Sequence, residues 1–202
     1  MTAGADPSAD TRSRCAWGDS GADDPMTVYH DTVWGVPQRD NRRLFEFLTL
    51  EGAQAGLSWR TVLLRHQGYR DVFDEFDVER IAGYTDADVA RCLADARIIR
   101  NRAKVESTIG NARVWLELDD PVDFIWSFVD GTPLQNRWGE MGSVPASTPT
   151  SDAMSKQMKL LGFRFVGTTI CYAFMQACGL VNDHTTECFR HRELAVVNPG
   201  GG

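Results

Sequence analysis

Three observations predict an all-α fold. Apolar residues recur at spacings of three and four in one segment after another, the pattern of a helix with a single buried face. No stretch alternates apolar and polar residues with the period of two that a half-buried strand shows. Cap-forming residues stand at the ends of several periodic segments, as helix starts and stops require.

Taken in order, MTAGADPSADTRSR (1–14) is small and polar with no apolar run, and reads as a disordered leader and not as a secretory signal. Helices are predicted over NRRLFEFLTLEGAQ (41–54) and SWRTVLLRHQGYRDVF (58–73). DADVARCLADA (86–96) follows Thr85, with Asp88 placed to complete an N-cap, and RAKVESTIGNARVWLEL (102–118) and DFIWSFV (123–129) come next. GTPLQNRWGEMGSVPASTPT (131–150), rich in Gly, Pro, Ser and Thr, reads as a long loop crossing the surface or a lobe boundary. SDAMSKQMKLL (151–161) opens on the capping Ser151 and stops at Gly162, and TTICYAFMQACGLV (168–181) is the last predicted helix. Beyond Cys188 the chain runs to NPGGG, so 189–202 is expected to be a loose tail and 15–188 one domain.

A chain of 202 residues, 43% hydrophobic and 24% charged, has the composition of a globular domain with its own core. Its longest apolar run, ICYAFMQACGLV (170–181), falls short of the roughly 20 residues that span a bilayer. No membrane association and a cytoplasmic location are therefore expected. Five scattered cysteines, an odd number, point to reduced thiols and away from a disulfide scaffold. A net charge of −7 argues against general coating of nucleic acid but permits a local basic patch. One candidate patch is DARIIRNRAKV (95–105), a helix-hairpin-helix candidate whose turn carries Arg97, Arg100, Arg102 and Lys104. Such a turn offers backbone amides and cations to phosphates, although the same charges also suit a solvated helix connection.

Two constellations bear chemistry. In DHTTEC (183–188), His184 and Cys188 lie four apart, the spacing that would align two side chains on one helical face, and imidazole and thiolate are both able to bind zinc. A structural zinc needs two more, and Cys15 and His30 are available near the other end of the chain, with His66 and His191 as competitors. The set Cys15, His30, His184 and Cys188 would tie the two ends together and leave no coordination position for substrate. Spacing alone does not choose it. In LEGAQAGLSW (50–59), Glu51 and Trp59 are eight apart, with Gly52 and Gly56 allowing close backbone approach. With Trp17, Tyr29 and Trp34 they form an aromatic set able to sandwich a flat, electron-poor ring, or merely to fill core.

RCAW (14–17), YHDTVWGVP (29–37), LFEFLTLEGAQAGLSWRTVL (44–63), IGNARVWLEL (109–118), DFIWSFVDG (123–131) and GFRFVGTTICYAFMQACGLVNDH (162–184) resemble, in this order and spacing, the DNA-3-methyladenine glycosylase I family of bacterial alkylation-repair enzymes. The resemblance covers about residues 15–188. It implies a helix-hairpin-helix DNA glycosylase-like fold, with one structural zinc per chain on Cys15, His30, His184 and Cys188 joining the terminal segments. It implies excision of a flipped 3-methyladenine from alkylated double-stranded DNA by hydrolysis, with the free base as product and without strand cleavage. Glu51 would be the catalytic and base-holding carboxylate, Tyr29 would add a hydrogen bond, Trp59 would stack, and Trp17 and Trp34 would wall the pocket. Gly56 and Leu57 would press into the gap left in the duplex, and Arg100, Arg102 and Lys104 would meet DNA. A monomer is expected. Two other functions stay open: a bifunctional glycosylase and lyase using Lys104, and a zinc-stapled DNA-binding module without catalysis. The chain departs from the family where glycines are expected in the hairpin, at Arg97 and Ala103, and where an aromatic occurs in relatives, at Met26.

Overall fold

Capping side chains delimit most of the helices in a computed structural model of the chain, which describes residues 12–196. Asp24, Asp40, Ser58, Asp77, Asn101 and Asp120 each accept a backbone N–H at the start of α1 (Pro25–Thr32), α2 (Asn41–Gln54), α3 (Trp59–Leu63), α5 (Val78–Ala82), α7 (Arg102–Leu116) and α8 (Pro121–Trp126). Thr85 with Asp88 and Thr148 with Ser151 form reciprocal capping boxes on α6 (Asp86–Ala94) and α9 (Pro149–Leu161). Gly162, at φ 100°, ends α9 in the left-handed conformation that glycine adopts without steric cost. The described set is completed by α4 (His66–Val72), α10 (Thr168–Ala177) and α11 (Phe189–Val196).

Ten of the fourteen residues of α2 are buried, so it is the central helix, enclosed by neighbours on nearly all sides. Leu44, Phe45 and Leu48 of α2, Trp115 of α7, Met154 and Met158 of α9, and Phe174 and Met175 of α10 form the closed interior. Two indole N–H groups stitch this core to the start of α2 and the loop ahead of it: Trp115 donates to Asn41 Oδ1 at 2.7 Å and Trp126 to the carbonyl of Gln38 at 2.8 Å. Of α2's buried residues, two are glutamates, Glu46 and Glu51, and these need separate explanations.

The structure amends the expected pattern in several places. The segment 58–73 is two helices, α3 and α4, and the bend lets Gly68 of α4 sit against the backbone of Arg97, where a Cβ would lie 2.6 Å from the Arg97 carbonyl oxygen. Helix α10 stops at Ala177, because Gly179 at φ 69° turns the chain hard against Val36 and Pro37. Extended residues follow: β2 (Val181–Asn182) pairs in parallel with β1 (Leu134–Gln135) from the long loop, a short element that period-two reasoning cannot detect. The expected loose tail is not observed as far as Val196, since 189–196 form α11, with Leu194 buried and the Phe189 N–H bonded to the Ser13 carbonyl at 2.9 Å. Most of the leader, 1–11, lies outside the described residues, but its last part is held: Arg14 pairs with Asp31 at 2.9 Å. Neither Arg97 nor Ala103 has positive φ, so the absent glycines impose no backbone strain there. All five cysteines are unpaired and buried, as reduced thiols. No helix among the described residues is long and apolar enough to cross a membrane.

Candidate active site

The two chain ends meet at a buried cluster. Cys15 precedes a single turn of 3-10 helix, His30 lies in the last turn of α1, and His184 and Cys188 flank the short loop before α11. Their ligand atoms all fall within 4.8 Å of one another. Cys15 Sγ is 3.6 Å and Cys188 Sγ 3.5 Å from His184 Nδ1, and Cys188 Sγ is 3.5 Å from His30 Nε2. Each imidazole is aimed by its other nitrogen: His30 Nδ1 meets Asp31 Oδ1 at 2.8 Å and His184 Nε2 meets the Trp34 carbonyl at 3.1 Å. This is the outer-shell arrangement that fixes the tautomer of a metal-binding histidine. The two buried sulfurs compete for charge: the hydrogen bond between them and burial push the Cys15 thiol up, and the same bond with the imidazoles holds Cys188 down. A divalent cation would remove that conflict, so the donor set fits a closed metal centre. The competing histidines are engaged elsewhere. His66 meets Glu46, and His191 Nε2 lies 2.8 Å from the Asn136 carbonyl.

A cavity of about 280 Å³ opens beside this cluster, lined by Trp17, Tyr29, Trp34, Glu51, Trp59 and Gln176, among others. Aromatic walls come from both sides. Tyr29 and Trp59 lie 5.1 Å apart between ring centroids, and Trp17 meets Trp34 edge-on at 5.0 Å. Trp34 also packs on His184 at 4.6 Å, so the Cys/His cluster buttresses one wall of the cavity. The sequence reading anticipated five of the lining residues; Gln54, Met141, Ala173 and Gln176 join them from α2, the long loop and α10, and Met26 lines it as well.

Glu51 is the distinctive group. It is 3% exposed and, among the described residues, has no hydrogen-bonding or ion-pairing partner. Burial alone pushes its carboxyl up to about 8, from an ordinary 4.5. Glu46, five residues earlier on the same helix, shows the contrast. Burial pushes it up too, but the His66 hydrogen bond and the charges of Arg43 and Arg70 outweigh this and hold it below the usual range. The two glutamates thus differ in company: one is neutralised by the protein, the other faces a cavity without a counter-charge. The Trp59 Nε1–H and the Tyr29 hydroxyl likewise have no partner among the described residues.

From the end of α2 the chain makes a tight turn at 55–58, where Gly56 takes φ 78° and the Leu57 side chain projects, 41% exposed. Lys104 underpins this turn: its Nζ donates to the carbonyls of Ala53 and Ala55, at 2.7 Å each. That placement commits to carbonyls an ammonium that the sequence reading sent to phosphate, and burial lowers its pKa. Residues 95–101 connect helices α6 and α7. Arg100 is exposed there, Arg102 pairs with Glu106 at 3.3 Å, and Arg97 pairs with Asp71 and Asp95.

Fold and site together define a helical protein with a buried cluster of two cysteines and two histidines beside an aromatic cavity that holds a buried carboxyl. A sequence model described as methyladenine glycosylase matches residues 17–191, and the chain belongs to that family. It is 50% identical over 180 residues to DNA-3-methyladenine glycosylase 1 of Escherichia coli (strain K12), covering 87% of this chain and 95% of that protein. A crystal structure of 3-methyladenine DNA glycosylase I superposes with a TM-score of 0.85 at 51% identity, covering 88% of this chain and 98% of the other. A variant of 3-methyladenine DNA glycosylase I in complex with 3-methyladenine is similar at 32% identity and a TM-score of 0.83, covering 87% and 96%.

Proposed function

We propose that this protein excises 3-methyladenine from alkylated double-stranded DNA by hydrolysing the N-glycosidic bond. The observation that carries the reading is a buried, partnerless carboxyl in an aromatic cavity of about 280 Å³. An N3-methylated adenine nucleotide is cationic. Entering this cavity, it brings Glu51 the counter-charge that the protein withholds, and ring faces of Tyr29 and Trp59 add cation–π attraction of about 0.5–2 kcal/mol. Neutral adenine brings neither. The selection is therefore electrostatic.

Chemistry then needs little more than extrusion and orientation. Water adds to the sugar carbon, the bond from that carbon to the base nitrogen breaks, and its electron pair cancels the positive charge of the base, which leaves neutral; the water gives up a proton to solvent. Glu51 holds the base edge and stabilises the charge before cleavage, Tyr29 and the Trp59 N–H supply donors, and Trp17 and Trp34 close the far side. Leu57, at the tip of the turn after Glu51, is placed to fill the gap left by the extruded nucleotide, with Gly56 providing the bend. The α6–α7 hairpin, acting as a helix-hairpin-helix, would present Arg100, Arg102 and the first amides of α7 to phosphate.

The four-residue cluster suits zinc. Ordinary zinc–sulfur and zinc–nitrogen bonds in a tetrahedral site put sulfur and nitrogen about 3.6 Å apart, and three of the four sulfur–nitrogen pairs here lie at 3.5–3.6 Å. Such an ion would be structural, with all four positions filled by protein, and it would brace Trp34 through His184. Lys104 supports single-function chemistry: with two protons committed to the carbonyls of Ala53 and Ala55, it is a brace and not a free amine nucleophile. We take the protein to act as a monomer in the cytoplasm. Release of free 3-methyladenine from methylated duplex DNA tests the reading, and a DNA-binding module without catalysis would release none.

A further inference from the structure

We propose that Gln176 is a specificity-determining residue, whose side-chain oxygen accepts a hydrogen bond from the exocyclic amine of the extruded base, and that Asp183 is the positioning residue that fixes its orientation. The inference rests on the base-pocket reading above and names a contact within it.

Asp183 is 1% exposed and accepts four hydrogen bonds. Asn136 Nδ2 and Trp138 Nε1 donate to Oδ1 at 2.6 and 2.7 Å, and the Tyr172 hydroxyl and Gln176 Nε2 donate to Oδ2 at 2.6 and 2.7 Å. A carboxylate is purely an acceptor here, so the carboxamide of Gln176 must point its NH₂ at Asp183. Turning it over would set two acceptor oxygens against each other with no proton between them. The main chain is held as well, since the Gln176 carbonyl accepts the Gly35 N–H at 3.0 Å. Gln176 lines the cavity, and its Oε1 has no donor among the described residues. The pocket therefore contains an oriented carbonyl acceptor in addition to Glu51. Gln54, the other amide in the lining, has no side-chain hydrogen bond among the described residues and commits neither end.

The chemistry of the ligand matches. The N–H donors of an N3-methylated adenine nucleotide are the two hydrogens of its exocyclic amine, and the lining offers acceptors to match, among them Glu51 from α2 and the oriented Gln176 from α10. A 3-methylated guanine carries an oxygen at that ring carbon and would meet Gln176 acceptor to acceptor. Gln176 thus separates amino-purines from oxo-purines, whereas the aromatic walls and the charge of Glu51 respond to any methylated purine cation.

The test compares 3-methyladenine with 3-methylpurine, the analogue lacking the amine, by calorimetric titration of the parent and of Gln176→Met, which keeps the length and removes the acceptor. The preference of the parent for 3-methyladenine over the analogue should shrink by about 2- to 10-fold in the variant, with affinity for 3-methylpurine changed less than twofold. In the parent, the Gln176 carboxamide resonance should shift on saturation with 3-methyladenine and stay in place with 3-methylpurine. Asp183→Asn, which allows the carboxamide to turn over, should reduce the same preference. Equal weakening for both ligands in Gln176→Met, or no weakening with an unmoved resonance, overturns the assignment while leaving the base pocket intact. If the parent binds neither ligand, the pocket reading itself falls and this assignment with it.

Discussion

Replacing Glu51 by Gln should make the protein more stable and less able to bind its base, and the gain in stability should depend on pH. In the folded state burial raises the Glu51 carboxyl from an ordinary 4.5 to about 8. The sign follows from linkage: between these values the folded chain holds a proton that the unfolded chain has released, so rising pH favours unfolding. The stability of the parent is least affected below 4.5 and is lost progressively as pH climbs toward 8. At about 1.4 kcal/mol per pH unit, the ionisation of the unfolded carboxyl costs the parent on the order of 3 kcal/mol between pH 5 and pH 7.5. Glutamine keeps the shape and does not titrate. The stability difference between Glu51→Gln and the parent should therefore widen by about that amount over this interval. Urea denaturation of both proteins at pH 5, 6.25 and 7.5 measures it, every other titrating group being common to both. A difference constant to within about 1 kcal/mol would refute the reasoning, because it would mean that the carboxyl ionises without penalty. At pH 7.5, where part of the parent carboxyl is ionised, the variant should also bind 3-methyladenine more weakly than the parent.

Metal analysis should give about one zinc per chain in the parent and near none in Cys188→Ala, whose melting temperature should fall by roughly 10 °C or more; equal metal content in the parent and a folded variant would contradict the proposed ligand set. Lys104→Met should leave the carbonyls of Ala53 and Ala55 without their donor and destabilise the fold by about 1–3 kcal/mol, as denaturation would show. Borohydride added during turnover of the parent should trap no protein–DNA adduct, whereas an adduct at Lys104 would establish a lyase step. Leu57→Ala should weaken binding to duplex DNA carrying an abasic-site analogue by about 1–2 kcal/mol, with affinity for the free base unchanged; equal DNA binding would remove Leu57 from the interface.

The strongly periodic helices were legible in the sequence. Helix α2 spans 41–54 as predicted, and α6, α7 and α9 match within a few residues, because long amphipathic stretches and cap residues report directly on local structure. The short helices α1, α5 and α11 were not, since eight residues or fewer give too little periodicity and each is held by tertiary contacts. For the same reason 58–73 looked continuous: nothing in its composition announces that Gly68 must reach the Arg97 backbone. Within the site, Glu51 and Trp59 stood out eight residues apart, with Tyr29 joining them from the N-terminal segment as part of an aromatic set. Gln176 did not, because it lies in an apolar helical run where a single amide looks incidental, and its significance depends on Asp183, seven residues on. Lys104 was visible as a cation but not as a brace, since its carbonyl partners lie about fifty positions away in sequence. Of the Cys/His cluster only His184 and Cys188 had a suggestive spacing; Cys15 and His30 come from the N-terminal part of the chain, and folding alone brings the four together.

Free bases released from methylated duplex DNA, identified and counted after incubation with the parent and with Glu51→Gln, test the central claim most directly. The account predicts that the parent releases free 3-methyladenine, leaves unmodified adenine in place and does not cut the strand, and that Glu51→Gln, though folded and metal-loaded, releases the base far more slowly. Release of 3-methyladenine at the same rate by both proteins would contradict the role of Glu51, and no release by a folded, metal-loaded parent would contradict the proposed function.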